Sequence, residues 1–542
     1  MKIVLAQINF TIADISGNEK KITDAIAEAR KGGSDLIVFS ELAVCAYPPD
    51  DLLDYPHFIK ACEEAIHRIA THCQGITAIV GSPMENPEET GRRLYNSACI
   101  LKDGKLSDVV YKTLLPTYDV FNESRYFEVN DVFKTIEVAG RKIALTICED
   151  LWHEMDRFDY QDNPLKALAE KGPEMIINIS ASPFNLGKKT ERFEVLETQA
   201  KAYGLPLIYV NQTGVHSDLI FDGNSLVLNA SGNIIAELPA FREAVFTFDT
   251  EKHYPAIAYT EPDETEYLYR ALVSGIRDYF DKSGFRTAVL GASGGIDSAV
   301  VQALASAALG PENVTAILMP SEYSSTGSVE DAKILSETLG NPHHLVPISE
   351  VFNAFENTMR PMFGQMPFNV AEENMQARSR AVILMAYSNK FGNILLNTSN
   401  KSEMSVGYTT LYGDMCGSLS VMGDVFKTKV YQLAEYINRD AEIIPNNILT
   451  KAPSAELRPD QKDSDSLPEY PLLDAILTLY IEHQCGPEAI AARGYDRALV
   501  DRITTMVNRN EYKRYQAPPI LRVSGKSFGR GRVMPLVSKW NF

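Results

Sequence analysis

A strand that runs into paired glycines and then into a helix constrains the fold of this chain more than any other segment. The apolar run TAVLGA is followed by Ser293-Gly294-Gly295-Ile296-Asp297-Ser298 and then by the helical pattern AVVQALASAAL. Adjacent glycines let the backbone approach an oxyanion closely, and a helix N-terminus offers free N–H groups at the positive end of its dipole. The segment therefore predicts a phosphate-binding βα unit. It is not a Walker A loop or a GxGxxG fingerprint, since neither pattern occurs in the chain.

The chain as a whole is too long for one core, because its 542 residues exceed the roughly 150 expected per domain. Residues 1–255 mix strand-like runs with helical and hairpin patterns, which favours an α/β sandwich containing antiparallel pairs. An acidic polar stretch at 256–266 is the predicted linker. Residues 267–542 restart with βα units, which favours a parallel α/β domain.

Charge and cysteine usage exclude several classes of function. The net charge is 52 − 71 = −19, and an acidic surface disfavours binding to nucleic acid. The seven cysteines are scattered without a CxxC pair, so neither a disulfide framework nor a zinc ribbon is predicted. No apolar run is long enough to span a membrane, and the start of the chain lacks the pattern of a signal peptide. We expect a cytoplasmic protein with no nucleic-acid or membrane partner.

Three reactive side chains of the first half follow strand-like runs. Glu41 ends DLIVFSE, Lys112 lies in VVYKTLLP, and Cys148 ends KIALTIC. Side chains at strand ends in α/β folds lie on accessible loops with a rigid base. A carboxylate that takes the thiol proton and a lysine that stabilises an oxyanion suffice for amide hydrolysis. From residue types alone, a buried cysteine with two ordinary charges remains the alternative.

The segments FSELAVCAYPPDDLL, YKTLLPTYDVFNESRYF and CEDLW together resemble the glutamine amidohydrolase branch of the nitrilase superfamily. The resemblance implies an αββα sandwich and a Glu41–Lys112–Cys148 triad, with Glu123 as an aid to deacylation. The residues that it implies for glutamine binding are Tyr118, Phe121, Ser182 and Lys188. The family often has an arginine at the last of these positions, and a lysine cannot offer a bidentate fork to a carboxylate.

The hexapeptide SGGIDS resembles the pyrophosphate loop of the N-type ATP pyrophosphatases, and the motifs that follow it resemble the NAD synthetase domain over about 265–542. This resemblance implies a Rossmann-like parallel α/β fold with Mg²⁺ on Asp297 and Glu403. Besides the hexapeptide, the implied ATP-binding residues are Arg378, Thr398, Lys427 and, from a lid-like loop, Ser454. The implied pyridine-nucleotide contacts are Asn374, Tyr408 and Asp414.

Two features of the second half are left open by the residues themselves. Asp424 lies close in sequence to Lys427, and an ion pair between them is the simplest expectation. The tail EYKRYQAPPILRVSGKSFGRGR is basic in an acidic chain. It could close over phosphates or form an arm between subunits.

Together the two halves resemble the family of glutamine-dependent NAD⁺ synthetases. The resemblance implies that deamido-NAD⁺, ATP, glutamine and water give NAD⁺, AMP, pyrophosphate and glutamate, with ammonia passed between the sites. It also implies a homo-oligomer, with an octamer as one form. The alternatives are an amidase or carbamoylase with a nucleotide-sensing domain, another glutamine-dependent amidating ligase, and a non-catalytic scaffold.

Overall fold

The computed structural model of the chain describes residues 1–88, 90–153, 160, 162–459 and 461–539. The chain divides into two compact units, Met1–Pro262 and Asp263–Phe542. The stretch proposed as a linker includes the start of a helix at Glu264, which Asp263 caps by accepting a hydrogen bond from the backbone N–H of Glu266. Among the described residues, no helix combines the length and the apolar character needed to cross a bilayer.

The first unit contains two six-stranded sheets. Its strands are β1 (Lys2–Gln7), β2 (Leu36–Val38), β3 (Thr77–Glu85), β4 (Leu94–Lys102), β5 (Lys105–Tyr111), β6 (Ile136–Val138), β7 (Arg141–Ile147), β8 (Met175–Ser180), β9 (Leu207–Asn211), β10 (Thr213–His216), β11 (Leu219–Asp222), β12 (Leu226–Leu228), β13 (Ile234–Glu237) and β14 (Ala244–Asp249). One sheet has the order β14-β1-β2-β3-β4-β5 and the other β13-β12-β9-β8-β7-β6, while β10 and β11 form a separate hairpin. Both large sheets mix parallel and antiparallel pairs.

Helices cover the outer faces of these two sheets. They are α1 (Ile15–Lys31), α2 (Pro56–Ala70), α3 (Pro164–Ala169) and α4 (Lys188–Tyr203). One buried cluster joins α1 and α2 to the first sheet, and another joins α3 and α4 to the second. A third cluster, with Leu5 and Ile79 from one sheet and Leu145 and Ile177 from the other, fills the space between the sheets. The layers are therefore αββα, as predicted from the resemblance.

The second unit has a five-stranded sheet in which every described pair is parallel. Its strands are β15 (Ala288–Gly291), β16 (Val314–Leu318), β17 (His343–Leu345), β18 (Ile394–Asn397) and β19 (Leu419–Ser420). The order β17-β16-β15-β18-β19 means that the chain first builds outward on one side of β15 and then on the other. A sheet wound in this way opens a crevice at the carboxyl ends of β15 and β18, the neighbouring strands between which the winding direction changes. Nucleotides bind at such a crevice in folds of this kind.

Helices surround this sheet and extend beyond it. They are α5 (Glu264–Ser283), α6 (Ile296–Leu309), α7 (Thr326–Leu339), α8 (Ser349–Phe363), α9 (Val370–Phe391), α10 (Lys401–Val406), α11 (Lys427–Ile437), α12 (Asn446–Thr450), α13 (Tyr470–Leu477), α14 (Pro487–Ala491), α15 (Arg497–Arg509) and α16 (Glu511–Arg514). The parallel α/β architecture predicted for this half is confirmed.

Two short helices of this unit lie in polar segments. Glu403 lies in the first turn of α10, and the side chain of Asn400 caps this helix by accepting a hydrogen bond from the Glu403 N–H. The Pro-rich stretch from Asn446 onward begins with α12, whose Ile448 is buried. Burial of one apolar residue in an otherwise polar stretch is a tertiary effect that composition does not reveal.

Candidate active sites

The three triad candidates of the first unit come from three different strands. Glu41 follows β2, Lys112 follows β5, and Cys148 follows β7 directly. All three side chains are buried. The fold brings them together because the strands that carry them belong to the two facing sheets.

Lys112 lies between two carboxylates. Its Nζ is 2.7 Å from Oε1 of Glu41 and 2.8 Å from Oε1 of Glu123. Burial alone would lower the pKa of Lys112, but Glu123 and Glu41 together raise it above its ordinary value, so the ammonium is retained. Glu41 is also held by Asn96 Nδ2 at 2.7 Å and by the backbone N–H of Ala181 at 2.9 Å. Asn96 gives no signal in the sequence, because it lies inside β4 between ordinary strand residues.

Glu123 belongs to the same buried network. Tyr47 donates a hydrogen bond from its hydroxyl to Oε1 of Glu123 at 2.9 Å. Burial raises the pKa of Glu123 to about 7, although Lys112 opposes the shift. The site therefore holds two carboxylates and one ammonium, and the second carboxylate titrates near neutral pH.

Cys148 occupies a strained turn. Its φ is +45°, in the left-handed region that non-glycine residues rarely adopt. Asp150 holds this turn, because its Oδ2 accepts from the Ile147 N–H at 3.0 Å, and its Oδ1 accepts from the backbone N–H groups of Thr113 and Leu114 at 3.0 and 2.8 Å. Burial raises the pKa of the Cys148 thiol well above its ordinary value, and Glu41 adds to the shift. A resting thiol with a base beside it is the arrangement that deprotonation on substrate binding requires.

The backbone around Glu41 depends on a glycine in the neighbouring strand. A Cβ placed on Gly81 of β3 would lie 2.3 Å from the Leu42 nitrogen and 2.5 Å from the Ser40 oxygen. Any larger residue would push the Glu41 segment away from the strand. The close approach explains this glycine within a strand, which the sequence pattern alone did not single out.

The residues predicted to bind glutamine lie near two buried charged groups, the Glu149 carboxylate and the Lys188 ammonium. Tyr118 donates from its hydroxyl to Glu149 at 3.0 Å, and its ring packs edge-on against Phe121. Burial raises the pKa of Glu149, whereas Lys112 and the nearby tyrosines oppose the shift. Lys188 lies 3.8 Å from the centre of the Trp152 ring.

Lys188 also forms an ion pair with Glu191, and the remaining predicted glutamine-binding residue is Ser182. Lys188 Nζ is 3.0 Å from Glu191, and burial lowers its pKa. Ser182 is buried, and its backbone N–H donates to Asn211. Glu149, directly after Cys148, and Lys188, which interacts with Glu149, offer a carboxylate and an ammonium that can hold a zwitterionic amino acid by its two ends. Glu149 was missed from the sequence, although its position next to Cys148 was the available signal.

The second unit contains a cavity of about 290 Å³ at the carboxyl ends of β15 and β18. Most of the residues predicted for nucleotide and substrate binding line it. These are Ser293, Gly295, Ile296, Asp297, Ser298, Thr398, Glu403, Tyr408, Asp414, Lys427 and Ser454. The cavity therefore lies where the strand order predicts a ligand crevice.

The glycine turn between β15 and α6 has the geometry of an anion cradle. Gly294 has φ +75°, and a Cβ there would lie 2.1 Å from the Ser328 oxygen, so only glycine fits. Helix α6 begins at Ile296 with no side chain capping its N-terminus. Its first N–H groups are therefore available to a ligand. The hydroxyls of Ser293 and Ser298 are 3.1 Å apart beside this turn.

The carboxylates of Asp297 and Glu403 both contact the ammonium group of Lys427. Lys427 Nζ lies 2.5 Å from Oδ2 of Asp297 and 3.0 Å from Oε1 of Glu403. Burial alone would lower the pKa of Lys427, but the two carboxylates raise it above its ordinary value. The described residues contain no group of three or more His, Cys, Asp or Glu side chains in metal-binding arrangement.

Three predicted residues do not line the cavity. Gly294 is turned against α7, as described above. Arg378 is exposed and donates from Nε to the Leu411 carbonyl at 3.1 Å. Asn374 accepts a hydrogen bond from the Thr410 hydroxyl at 2.8 Å, and the Thr410 N–H donates to Asp414, so Asn374 is joined to the cavity wall indirectly.

Several cavity residues were not anticipated from the sequence. Arg380 lines the cavity two positions after Arg378, and burial lowers its pKa to about 10. Lys451 also lines it and donates to the Gly294 carbonyl at 3.1 Å and the Ser328 hydroxyl at 2.6 Å. Asp463 adds a buried carboxylate oxygen, Oδ1, that has no hydrogen-bond partner.

The expected ion pair between Asp424 and Lys427 is wrong. Asp424 instead lies 3.0 Å from the buried Nζ of Lys401 and accepts hydrogen bonds from the backbone N–H groups of Val523 and Ser524. The basic tail, for which two roles were open, packs here against its own unit. Val523 and Ser524 lie 99 and 100 residues from Asp424 in sequence, and Lys401 also lies farther from Asp424 along the chain than Lys427 does, so closeness in sequence favoured the wrong pair.

Comparison with known proteins covers both units. The carbon-nitrogen hydrolase family profile matches residues 2–254, and the NAD synthase profile matches residues 268–517. A glutamine-dependent NAD(+) synthetase of Synechocystis sp. is 44% identical over 99% of each chain, and one of Acinetobacter baylyi is 41% identical over 99% of this chain and 98% of its own. A solved structure of the corresponding Acinetobacter baumannii enzyme, in complex with ADP, is 39% identical, with a TM-score of 0.78 over 99% of each chain.

Proposed function

The chain belongs to the family of glutamine-dependent NAD(+) synthetases, and we propose how its two sites divide that activity. The chain is a ligase that makes NAD⁺ with glutamine as the amide donor and ATP as co-substrate. The first unit releases ammonia from glutamine, and the second uses ATP to activate the carboxylate of deamido-NAD⁺. Membership of this family disfavours the amidase, alternative ligase and scaffold hypotheses.

In the first unit, Cys148 attacks the side-chain amide of glutamine. Glu41 takes the thiol proton and passes it to the departing nitrogen, so that ammonia and a thioester form. Lys112 is held by Glu41 and Glu123 at 2.7 and 2.8 Å, which leaves its remaining N–H to stabilise the oxyanion. Water then cleaves the thioester to glutamate and the free thiol. Glu123 supports this second step through its contact with Lys112.

The substrate glutamine is held at both ends of its backbone. Glu149 faces the α-ammonium group, and Lys188 faces the α-carboxylate. Tyr118 and Phe121 form an aromatic wall, and Ser182 contributes a polar edge beside the nucleophile. This assignment is supported by the opposite charges of the two buried groups, which interact with each other, and by the interaction of Glu149 with Cys148.

In the second unit, the glycine turn receives the ATP phosphates. The substrate carboxylate attacks the α-phosphorus, pyrophosphate leaves, and an acyl adenylate forms. Ammonia then displaces AMP and gives the amide of NAD⁺. Thr398 and Ser454 serve the ATP side from the cavity wall, with Lys427 on the phosphates. Arg378, which lies outside the cavity lining, is assigned to the ATP side by the family resemblance alone. Asn374, Tyr408 and Asp414 serve the pyridine-nucleotide side.

Mg²⁺ fits the carboxylates of the second unit. Mg²⁺ takes oxygen ligands and is often bound by one or two protein carboxylates together with substrate phosphates and waters. Asp297 and Glu403 provide two carboxylates that already converge on one cation, the Lys427 ammonium. When bound there, the metal would neutralise charge on the phosphates. The two residues that would hold it are Asp297 and Glu403.

Three further properties belong to the same proposal. Ammonia passes between the sites without release, because the protonated form that predominates in water at neutral pH is not a nucleophile. The protein is cytoplasmic, which suits its seven free cysteines. It forms a homo-oligomer, with an octamer as one form, and light scattering would measure the size.

One observation carries the proposal: a single chain contains both a buried Glu-Lys-Cys network and a nucleotide crevice with a glycine turn. Incubation with deamido-NAD⁺, Mg-ATP and glutamine should yield NAD⁺, AMP, pyrophosphate and glutamate in equal amounts. Glutamine hydrolysis without any AMP, whatever pyridine nucleotide is added, would contradict it and would favour an amidase.

A further inference from the structure

Lys427 is the cation on which the two proposed metal ligands converge. Its side chain is 3% exposed, and its Nζ contacts Asp297 Oδ2 and Glu403 Oε1. We propose that Lys427 occupies the divalent-cation position while the nucleotide site is empty, so that the metal enters only together with the ATP phosphates. This inference rests on the proposed function, because it takes Asp297 and Glu403 as the metal ligands.

The lysine and the metal exclude each other. A Mg²⁺ ion lies about 2.1 Å from each oxygen that it binds. An ammonium nitrogen at 2.5 and 3.0 Å from the same two oxygens fills that space. Two positive charges a few ångströms apart in a buried site also repel each other strongly.

Hydrogen bonds from Asn400 and Tyr470 help to position the two residues that carry these carboxylates. Asp297 uses Oδ1 to accept a hydrogen bond from Asn400 Nδ2 at 2.9 Å. Glu403 lies in the first turn of α10, where Asn400 also caps its backbone N–H. Tyr470 donates from its hydroxyl to Oε1 of Glu403 at 3.5 Å. One asparagine thus holds both ligand-bearing residues. Asp297 presents Oδ2 to Lys427, and Glu403 presents Oε1, the oxygen that also accepts from Tyr470.

The nucleotide gives the lysine another partner. The ATP phosphates bring several negative charges to the glycine turn, whose next residues include Asp297 itself. The flexible four-carbon stem of lysine lets its ammonium move from the carboxylates to a phosphate. Without the lysine, two buried carboxylates would remain uncompensated in the empty site, which is costly. Lys427 therefore stabilises the empty site and binds phosphate in the filled one.

Binding of Mn²⁺ to the full-length protein, followed by electron paramagnetic resonance, tests this inference without turnover. The wild type should bind Mn²⁺ weakly alone and at least tenfold more tightly with α,β-methylene-ATP, which cannot be cleaved between the α and β phosphates. Lys427→Met should bind Mn²⁺ at least tenfold more tightly than the wild type without nucleotide. Lys451→Met removes the same charge from the same cavity, but Lys451 does not contact the carboxylates of Asp297 and Glu403. The Mn²⁺ affinity of this variant without nucleotide should therefore stay within twofold of that of the wild type.

The outcomes are distinguishable. The inference is overturned if the wild type binds Mn²⁺ equally well with and without the analogue. It is also overturned if Lys427→Met binds Mn²⁺ no more tightly than the wild type without nucleotide. An equal gain in Lys451→Met would assign the effect to overall charge and would overturn it too. Adding Asp297→Asn to Lys427→Met should remove the gain. If the analogue recruits no Mn²⁺ at all, the proposed metal site itself fails.

A second variant covers the case in which Lys427→Met does not fold. Lys427→Arg keeps a cation between the carboxylates and should still bind Mn²⁺ weakly without nucleotide. Tight binding by Lys427→Arg alone, with its fold verified by circular dichroism, would contradict the exclusion. The Mn²⁺ affinity of the wild type, compared with and without the analogue, tests the inference whether or not Lys427→Met folds.

Discussion

Asp150 accepts a hydrogen bond on Oδ2 from the backbone N–H of Ile147 at 3.0 Å, across the turn that holds Cys148 in a left-handed conformation. The other oxygen of the same carboxylate binds the two N–H groups that follow Lys112 in the chain. One buried side chain therefore ties the segment of the nucleophile to the segment of the lysine. Asp150 is a positioning residue of the proposed glutaminase.

Asp150→Asn should loosen both segments, because an amide nitrogen cannot accept the N–H groups that a carboxylate oxygen binds. We expect the free energy of unfolding of the first unit to fall by about 1–3 kcal/mol. The glutamine-driven rate should fall more than tenfold, whereas the ammonium-driven rate should not change. Denaturant unfolding and the two rates check this. The exposed Asp131→Asn is the control; equal losses in both variants would refute the role of Asp150.

The pH dependence of the glutamine-driven rate should follow Glu123. Burial raises the pKa of Glu123 to about 7, so the carboxylate that holds Lys112 is ionised above that pH and protonated below it. At pH 6 only about a tenth of it is ionised. We expect the glutamine-driven rate to fall from pH 8 to pH 6 by up to about tenfold.

Glu123→Gln should remove that dependence. The variant cannot ionise at this position, so its glutamine-driven rate should be low at pH 8 and should change little down to pH 6. Its ammonium-driven rate should match the wild type at each pH. A wild-type fall that persists unchanged in Glu123→Gln would show that another group is responsible.

Lys188→Met should weaken glutamine binding more than catalysis. Loss of a charged hydrogen bond to a carboxylate costs about 1.5–3 kcal/mol, which corresponds to a KM for glutamine raised about 10- to 150-fold. The neighbouring Lys189, paired with Glu237 at 2.8 Å, provides the matched control. Steady-state kinetics with glutamine and with ammonium separate the two effects. An unchanged KM in Lys188→Met would exclude Lys188 from the glutamine pocket.

Lys401→Met should destabilise the second unit. Lys401 is fully buried between Asp424 at 3.0 Å and Glu482 at 2.6 Å, and its loss leaves both carboxylates without their ammonium. Breaking a buried pair in this way costs about 3–5 kcal/mol. The measurement is the unfolding transition that Mg-ATP shifts to higher temperature, since ligand binding identifies the second unit.

The matched control for Lys401 is Lys429. Lys429 pairs with Glu264 on the surface, where an ion pair contributes about 0–1 kcal/mol. Lys429→Met should therefore leave that transition nearly unchanged. A Lys401→Met variant as stable as Lys429→Met would mean that the tail is not anchored by this cluster.

Strand ends and glycine turns are the parts of these sites that a sequence reveals. Glu41, Lys112 and Cys148 each follow a strand, and their convergence depends only on how strands pair in two facing sheets. The glycine turn before α6 is similarly local, because its strand, turn and helix are consecutive in the chain. Backbone periodicity locates the strand ends and the glycine turn, whereas the triad was predicted from the resemblance of its motifs to the nitrilase superfamily.

Contacts between distant segments are the parts that could not be predicted. Arg378 and Arg380 are two positions apart on α9, and a small difference in helix phase decides which of them lines the cavity. Asn96 and Gly81 act through their neighbours in space, and nothing in their own strands distinguishes them. Lys401 contacts Ser524 of the tail as well as Asp424 and Glu482, so its burial depends on tertiary packing rather than on local sequence.

The most direct test of two separable sites on one chain is a comparison of Cys148→Ala with the wild type. NAD⁺ formation from deamido-NAD⁺ and Mg-ATP is measured once with glutamine and once with ammonium as the nitrogen source. We predict that Cys148→Ala forms no NAD⁺ from glutamine and forms it from ammonium at the wild-type rate. Glutamine-driven synthesis by Cys148→Ala, or loss of both activities in a folded variant, would contradict the account.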